Sequence, residues 1–586
     1  MSFLSDLQGE EITILESCLS PVQFALNDCI LREDDPGDGC YIIDDGMVRL
    51  ELKNVEADTD SVMGFLESGA FLGEFSLLDG KPRSASAYAH TEVKARWFSK
   101  EDYENICQHH PELGLKIATA LGQDLVTKMR EVDEKIAGFM FAGDIDKDTH
   151  EIVERAVKAQ QSFCGWSEDR VDSVLKEIAD TISEKAEEFA EATVAETGMG
   201  VIADKVTKIR FASLDIYKTI SGCSAAGIIE THTQNQVTEI AGPVGVVLGL
   251  IPVTNPIPTL VFKTLIALKG RNALILSCHR SALGIGCQAC EIIRDVLVRH
   301  GAPKDLVQPI LQRSSRQKTM MFMHHPQVSL ILATGGTSMV KAAYSSGTPA
   351  IGVGSGNAPV LICADADLSV AAKSIIQSKS FDNGVICGSE NNLVVVASVS
   401  DNFIRILKEN GAIILNTDEK NRLTAKAFDN DSHSLEKSII GKSARFIASS
   451  TDISEDEDIR LIVVPIRQDE LDGPYAHEKL APILSLYIVN NEAEGIELCK
   501  CILESQGRGH TAVIWTKDEE LMKQFGSEIE ASRILVNTPA SLGCCGLTTG
   551  LTPSFTLGCG TFGGNSTTDN ITYTHLLNIK RLALNL

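Results

Sequence analysis

The sequence predicts two folded parts in series. The first 140 residues read as a small β-barrel of jelly-roll type, and the remainder as an α/β unit built on parallel sheets. Three observations lead there. The chain has 586 residues, more than one core supports, because single hydrophobic cores stop growing near ~250–300 residues. Up to about Phe98 the apolar runs are short, alternate with polar residues and are broken by Gly and Asp, the pattern of antiparallel strands joined by turns. From about residue 150 fully apolar runs alternate with helical ones, which is how parallel strands with crossover helices read.

Taken in order, Gly39–Ile43, Gly46–Leu52 and Ala87–Ala89 are predicted strands. A helix is predicted from Pro111 to about Gly138, with Leu113, Leu115, Ile117, Leu121 and Leu125 on roughly one side. The acidic stretch Ala142–Asp148 reads as a linker, set at 141–155. One amphipathic helix is then expected over Glu168–Ala192, followed by strands at Val244–Leu250, Asn272–Leu276, Val328–Ala333 and Val360–Ile362. Ser449–Glu457, acidic and Ser-rich, reads as a surface loop.

Composition narrows the function. With 44% hydrophobic and 23% charged residues the chain is globular in type. A formal charge of −26 argues against nucleic acid as a partner, since a phosphate backbone calls for basic surface. The start Met1–Asp6 has no basic segment before an apolar run, and no stretch reaches the ~18–20 apolar residues of a membrane span, so a cytoplasmic protein without a membrane partner is expected. Sixteen scattered cysteines suit a reducing compartment. Cys287-x-x-Cys290 and Cys544-Cys545 lack the four ligands of a closed zinc site, and no metal is expected.

Phe381-Asp382-Asn383-Gly384-Val385-Ile386-Cys387 places a single cysteine after a glycine-containing turn. A thiolate adds to an aldehyde carbon, and the adduct can lose hydride to become a thioester. This stretch closely resembles the cysteine segment of the CoA-acylating aldehyde dehydrogenases, including the aldehyde half of the bifunctional aldehyde/alcohol dehydrogenases. Four further segments resemble that family in its order: Gly242–Val247 with Ile251–Pro256, Ala333–Ser338, His477–Pro482 and Leu557–Ser566. The resemblance implies an aldehyde dehydrogenase fold with a Rossmann-like cofactor domain. It implies Cys387 as nucleophile and Asn255 as oxyanion donor beside the Cys387 main-chain N–H. For the cofactor it implies Pro252, Ser277, His279, Thr334, Gly335, Gly336 and Thr337, with Glu478 on a ribose diol. The domain limits expected are 156–352 with 541–586 for cofactor binding and oligomerisation, and 353–540 for the cysteine domain. In Ser277-Cys278-His279-Arg280 a Cys replaces the first Pro of the family's Ser-Pro-His-Pro. NAD is the expected cofactor, with NADP left open, CoA the co-substrate, and a homo-oligomer the expected state.

Hydrolytic relatives place a base in a Glu-Leu-Gly-Gly segment; here Val353 stands where that Glu falls, within Gly352–Pro359. A positioned base is worth roughly 10²–10⁴ in rate, so release of the thioester to a thiol is expected rather than to water. The alternatives are a hydrolytic semialdehyde dehydrogenase with a base from elsewhere, and a nucleotide-sensing scaffold with an inactive enzyme part. Which aldehyde is used stays open.

Phe71–Ala87 closely resembles the phosphate-binding cassette of cyclic-nucleotide-binding domains. By that resemblance Glu74 accepts from the ribose hydroxyl and Arg83 pairs with the cyclic phosphate, whose oxygens suit its planar fork, while Gly73, Ser84 and Ala85 complete a nest of main-chain N–H groups. The base is read in part by the following helix, around Asp124, Leu125, Thr127 and Lys128. The effector expected is a cyclic nucleotide, cAMP ahead of cGMP.

Overall fold

A computed structural model describes residues 9–585 apart from 34, 54–59, 80, 142–145, 312–315, 430–433, 455, 457 and 472; the side chains of 127–141 and of a few other helix and strand residues, Thr337 among them, lie outside the description. The chain divides into two compact units, Met1–Phe139 and Met140–Leu586.

The first unit is a sandwich of two four-stranded antiparallel sheets, as expected of a jelly-roll-like barrel. Its strands are β1 (Leu19–Phe24), β2 (Cys29–Leu31), β3 (Gly39–Asp45), β4 (Val48–Lys53), β5 (Asp60–Leu66), β6 (Phe71–Leu72), β7 (Ser86–Ala89) and β8 (Val93–Ser99). One sheet runs β1-β8-β3-β6 and the other β2-β7-β4-β5. Alternation fills the inside: Cys40, Ile42 and Phe98 are buried with Leu113, Ile117 and Leu121 of the helix Pro111–Phe141, while Ile43, Val48, Ala87 and Ala95 form a second cluster. Among the cassette residues Gly80 lies outside the described ones, as do the Thr127 and Lys128 side chains.

The second unit begins with the helix Lys147–Phe163, capped by Asp146 accepting from Thr149 N. Its first nine residues, 147–155, fall in the stretch read as a linker, and its Ile152, Val153 and Ala156 belong to the core of the enzyme unit. The single helix expected over Glu168–Ala192 is two, Glu168–Glu184 and Ala186–Thr197, broken at Lys185 (φ −95°, ψ 13°). The apolar stripe hides the break, because Ile178 and Ile182 before it and Ala186, Phe189 and Ala190 after it are all buried. Ser449 and Ser450, read as loop, end a helix Ala444–Ser450.

Next come β9 (Gly227–His232), β10 (Val237–Pro243), β11 (Val246–Ile251), β12 (Ala273–Cys278), β13 (Val307–Pro309), β14 (Val328–Thr334) and β15 (Ala350–Val353). The strands β11 to β15 form a parallel sheet in the order β13-β12-β11-β14-β15, and β11 and β12 are buried throughout. A second parallel sheet holds β16 (Ala358–Ile362), β17 (Glu390–Val396), β18 (Ala412–Ile414), β19 (Leu461–Pro465), β20 (Ile483–Val489), β21 (Gly509–Trp515) and β22 (Ala531–Val536), ordered β18-β19-β20-β17-β16-β21-β22. The last strand, β23 (Leu577–Ala583), pairs with β10 in an antiparallel sheet ordered β23-β10-β9, which leaves Ile228 and Leu582 exposed.

Phe262 sits fully buried in the helix Pro256–Lys269 behind the first parallel sheet. Phe262→Ala is expected to cost ~3–5 kcal/mol by transfer and cavity terms, read as a lowered denaturant midpoint for the enzyme unit.

Candidate active site

In the five-stranded sheet the chain leaves β11 toward β12 and β13, then returns to β14 on the other side of β11. The crevice at the carboxyl ends of β11 and β14 is therefore a topological switch point, where open α/β sheets bind ligands. Pro252 and Asn255 follow β11; Thr334 ends β14, and Gly335 and Gly336 follow it. Gly336 begins the helix Thr337–Ser345 with no side-chain cap, and a Cβ at Gly336 would meet open space. The first N–H groups of that helix thus lack side-chain cover, and such a terminus favours a phosphate group. Thr334 Oγ1 is buried without a hydrogen-bond partner among the described residues. An uncapped terminus and an orphaned hydroxyl fit a pyrophosphate-bearing nicotinamide cofactor. Ser277 and His279 stand at the carboxyl end of β12, the neighbour of β11. The Ser277 hydroxyl is buried 3.3 Å from Thr319 Oγ1. His279 accepts from Ser281 N at 3.2 Å, and partial burial, with Arg280 and Lys437 nearby, lowers its pKa.

Cys387 lies ahead of β17, at the amino-terminal side of the seven-stranded sheet. The turn before it holds three successive left-handed residues, Asp382 (φ 49°), Asn383 (φ 54°) and Gly384 (φ 76°). Asp and Asn tolerate this region better than most residues, yet each strained non-Gly residue still costs of order 1–3 kcal/mol. What holds the turn is Asp382, fully buried. Its Oδ1 accepts from Val201 N at 2.7 Å, and its Oδ2 accepts from Lys208 Nζ at 2.6 Å and Lys205 Nζ at 3.0 Å. Its own N–H donates to Asp204 Oδ2 at 2.7 Å. All four partners belong to Val201 and the helix Ile202–Arg210. Burial pushes Lys205 down to about 8 against the pull of Asp382. Lys205 also donates to Thr254 O at 3.3 Å, and Lys208 to Asn255 Oδ1 at 2.6 Å and Val385 O at 3.1 Å. Asn255 Nδ2 donates to Val385 O at 2.9 Å. The two residues singled out from separate segments, Asn255 and Cys387, are thereby brought together through Val385.

Around Cys387 the backbone is tightly packed: a Cβ at Gly356 would fall 1.5 Å from Cys387 O. Burial raises the Cys387 pKa well above the ordinary thiol value, with Cys545, Glu478 and Cys559 adding to the rise and Arg533 opposing it. Val353 ends β15 as a buried apolar residue, so this loop supplies no carboxylate. One arrives from another segment instead: Glu478 Oε1 accepts from Gly356 N at 3.1 Å, and burial pushes its pKa up to about 7. Sequence reasoning missed His510. It is fully buried beside Gly388, whose Cβ would lie 3.5 Å from its Cε1. Its Nδ1 lies 2.8 Å from Thr511 Oγ1, and its Nε2 has no partner among the described residues. Burial and the Arg533 guanidinium keep the ring neutral. Arg533, also missed, is buried and donates to Gly558 O at 2.7 Å, anchoring the glycine-rich turn at 557–566. A lone His or Arg in an apolar strand carries no sequence signal for such a place.

In the barrel, Glu74 and Arg83 are both buried. Arg83 donates through Nη1 to Gly39 O at 2.7 Å and Gly73 O at 2.8 Å, and through Nη2 to Asp38 Oδ1 at 3.0 Å. Gly73 is left-handed (φ 86°), and a Cβ there would sit 2.5 Å from Arg83 Nη1. Gly73 and Arg83 meet, with the buried Glu74 next along the chain, Ser84 exposed and Ala85 half-buried. Elsewhere Glu230, His232 and Glu239 on β9 and β10 are close enough to share an ion, but Glu239 is already paired with Arg581 at 3.0 Å. No helix among the described residues is long and apolar enough to cross a membrane.

An ionised Glu478 disfavours the Cys387 thiolate. Above pH 7 Glu478→Gln is therefore expected to speed alkylation of Cys387 by iodoacetamide by about three- to tenfold, one pKa unit being tenfold in thiolate. At about two units below the Glu478 pKa, where the wild-type carboxyl is protonated, the rates should coincide. Mass spectrometry of the Cys387 peptide reads this out.

Comparison with known proteins places these features. Residues 129–576 match the aldehyde dehydrogenase family and residues 21–110 the cyclic nucleotide-binding domain. The bifunctional aldehyde-alcohol dehydrogenase of Escherichia coli K12 is 39% identical over 437 residues, 74% of this chain and 49% of that protein, so the chain spans about half the length of this relative. An acetylating aldehyde dehydrogenase from Geobacillus thermoglucosidasius is 40% identical, with a TM-score of 0.73, covering 77% of this chain and 98% of that one. A propionaldehyde dehydrogenase from Rhodopseudomonas palustris, solved with bound propionyl-CoA, is 27% identical with a TM-score of 0.69, covering 74% of this chain and 94% of that one. The chain belongs to the aldehyde dehydrogenase family, with a cyclic-nucleotide-binding type of domain ahead of it.

Proposed function

We propose that the protein is a CoA-acylating aldehyde dehydrogenase: aldehyde, NAD⁺ and CoA give acyl-CoA, NADH and a proton, and the reaction runs in either direction. The observation that carries this is the joining of Asn255 to the Cys387 segment through Val385 O, at 2.9 Å. The Cys387 thiol gives up its proton, the one released overall, as Sγ adds to the aldehyde carbon and the carbonyl oxygen becomes an alkoxide. Asn255 Nδ2 donates to that oxygen with the Cys387 main-chain N–H as second donor, and losing one such donor typically costs ~10²–10³ in rate. Pro252, Ser277, His279, Thr334, Gly335, Gly336 and Thr337 would hold the nicotinamide dinucleotide, with Glu478 on a ribose once it is bound. When bound, that cofactor supplies the acceptor for the hydride that leaves carbon as the thioester forms. The CoA thiolate then attacks the thioester carbon, the Cys387 sulfur leaves, and acyl-CoA is released. His510, neutral and with Nε2 open, takes the thiol proton. Relatives named as acetylating, and the one holding propionyl-CoA, support CoA as acceptor.

A specific observation favours a second reading, hydrolysis. Glu478, with a pKa near 7, stands close enough to Cys387 to raise the thiol's pKa and has the acidity of a general base. A steady-state assay separates the two. With CoA the NADH rate should exceed the CoA-free rate by ~10² or more, the scale of what a missing base withholds; equal rates would leave hydrolysis. Cys387→Ala should abolish both.

We propose further that the barrel binds a cyclic nucleotide, cAMP or cGMP, through Glu74 and Arg83, and that this regulates the enzyme. The match over residues 21–110 and the contact of Arg83 with Gly73, next to the buried Glu74, support it. The phosphate would replace Asp38 as the partner of Arg83 Nη2. Regulation requires different nucleotide affinity in the two enzyme states. Titration of each nucleotide against NADH production should show a saturable change. Arg83→Ala should weaken the response about 10- to 100-fold in concentration, the worth of a charged hydrogen bond. A homo-oligomer joined in part through the exposed sheet β23-β10-β9, and a cytoplasmic location, complete the proposal.

A further inference from the structure

We propose that Lys208 is the positioning residue of the oxyanion site, holding the Asn255 amide in the one orientation that aims an N–H at the oxygen on carbon bound to Cys387. This rests on the reading of Cys387 as nucleophile and Asn255 as donor.

An asparagine amide is nearly symmetric in shape, so its two ends exchange by a half-turn of the side chain. Only one orientation serves an oxyanion, because the other presents a carbonyl oxygen to a negative charge. Lys208 removes the choice. An ammonium has three N–H donors and no acceptor, and three acceptors surround this one: Asn255 Oδ1 at 2.6 Å, Asp382 Oδ2 at 2.6 Å and Val385 O at 3.1 Å. A flipped amide would set donors against donors in a buried place, where Lys208 is 3% exposed and an unmade polar contact is costly. In the orientation present, one Nδ2 hydrogen goes to Val385 O at 2.9 Å. An amide nitrogen carries two hydrogens, so the second remains for the substrate oxygen, two residues along the chain from Val385 to Cys387. The cation on Oδ1 also polarises the amide and strengthens that N–H as a donor. Asp382 completes the set as the anion that keeps a buried ammonium compensated.

Lys205 gives the control. It contacts the same Asp382 Oδ2, at 3.0 Å, and the main chain of the same loop at Thr254 O, at 3.3 Å, but among the described residues it makes no hydrogen bond to Asn255. A purely structural account treats the two lysines alike; the positioning account does not.

The test compares Lys208→Met, Lys205→Met, Asn255→Ala and the double variant Lys208→Met/Asn255→Ala in the full chain. The readouts are thermal stability, kcat and KM for aldehyde, and the alkylation rate of Cys387 by iodoacetamide. Both lysine variants should lose stability. Lys208→Met should lose kcat by ~10², the scale of one oxyanion donor, with KM and alkylation rate changed by no more than about threefold, an oxyanion contact being made in the transition state and not in the ground state. Lys205→Met, which loosens the Asp382 turn but leaves Asn255 Oδ1 its lysine, should lose about tenfold less kcat than Lys208→Met. The double variant should be no slower than Asn255→Ala, because the lysine acts through the amide and the two losses overlap. Losses that multiply, equal kcat losses in the two lysine variants, or a Lys208→Met defect that follows the alkylation rate would overturn the assignment. If Lys208→Met does not fold, Lys208→Gln, which can still bond Asp382, carries the same test. Collapse of both would make the lysine structural and end the proposal. Full activity in Asn255→Ala would instead remove the reading beneath it.

Discussion

Everything around Cys387 depends on one buried carboxylate. Asp382 sits in a turn that its own backbone resists, and it stays there because two lysines and the Val201 N–H converge on its oxygens. Breaking a buried ion pair from one side typically costs ~3–5 kcal/mol, the same scale as the ~2–6 kcal/mol of two strained non-glycine residues. The charges are arranged in a helix that faces inward, so the same lysines that steady the turn also reach Thr254 and Asn255. Three stretches of chain far apart in sequence, near 205, 255 and 385, are fixed to one another at a single point. The position of Asn255 relative to Cys387 is thus a property of the fold and not of either segment alone.

The two parallel sheets divide the work by their ends. The five-stranded sheet presents the carboxyl ends of β11 and β14, with an uncapped helix start and small residues that admit a phosphate. The seven-stranded sheet presents Cys387 ahead of its central strand β17, walled by Gly356 and His510. Loops from one sheet and the turn of the other meet at the Asp382 junction. Arg533 and the glycine-rich turn at 557–566 close the remaining side.

Much of this was legible beforehand, and what was missed has a common cause. The strands of both sheets announce themselves by apolar runs, and Cys387 and Asn255 stand in contiguous motifs. Asp382-Asn383-Gly384 even carries its conformation in its composition, since these residue types accept left-handed backbone. Lys205 and Lys208 do not. On a helix rich in charge they read as solvated surface, and only the folded chain turns them inward. The helix break at Lys185 was hidden by an apolar stripe that continues across it. Glu478 stands in a motif that resembles a ribose ligand, but nothing in the sequence marks it as the neighbour of Gly356, because that contact joins positions 122 residues apart. His510 had no motif to stand in.

The raised pKa of the Cys387 thiol bears on how the protein lasts as well as on how it reacts. Peroxides attack thiolates, and the first oxidised state of a cysteine leads by further oxidation to forms that reducing systems do not restore. A sulfur kept protonated by its surroundings is a poor target for them. The chain carries sixteen cysteines, and the one the proposed chemistry needs most is held protonated by its surroundings. The packing that slows the idle thiol is thus also its chemical shelter.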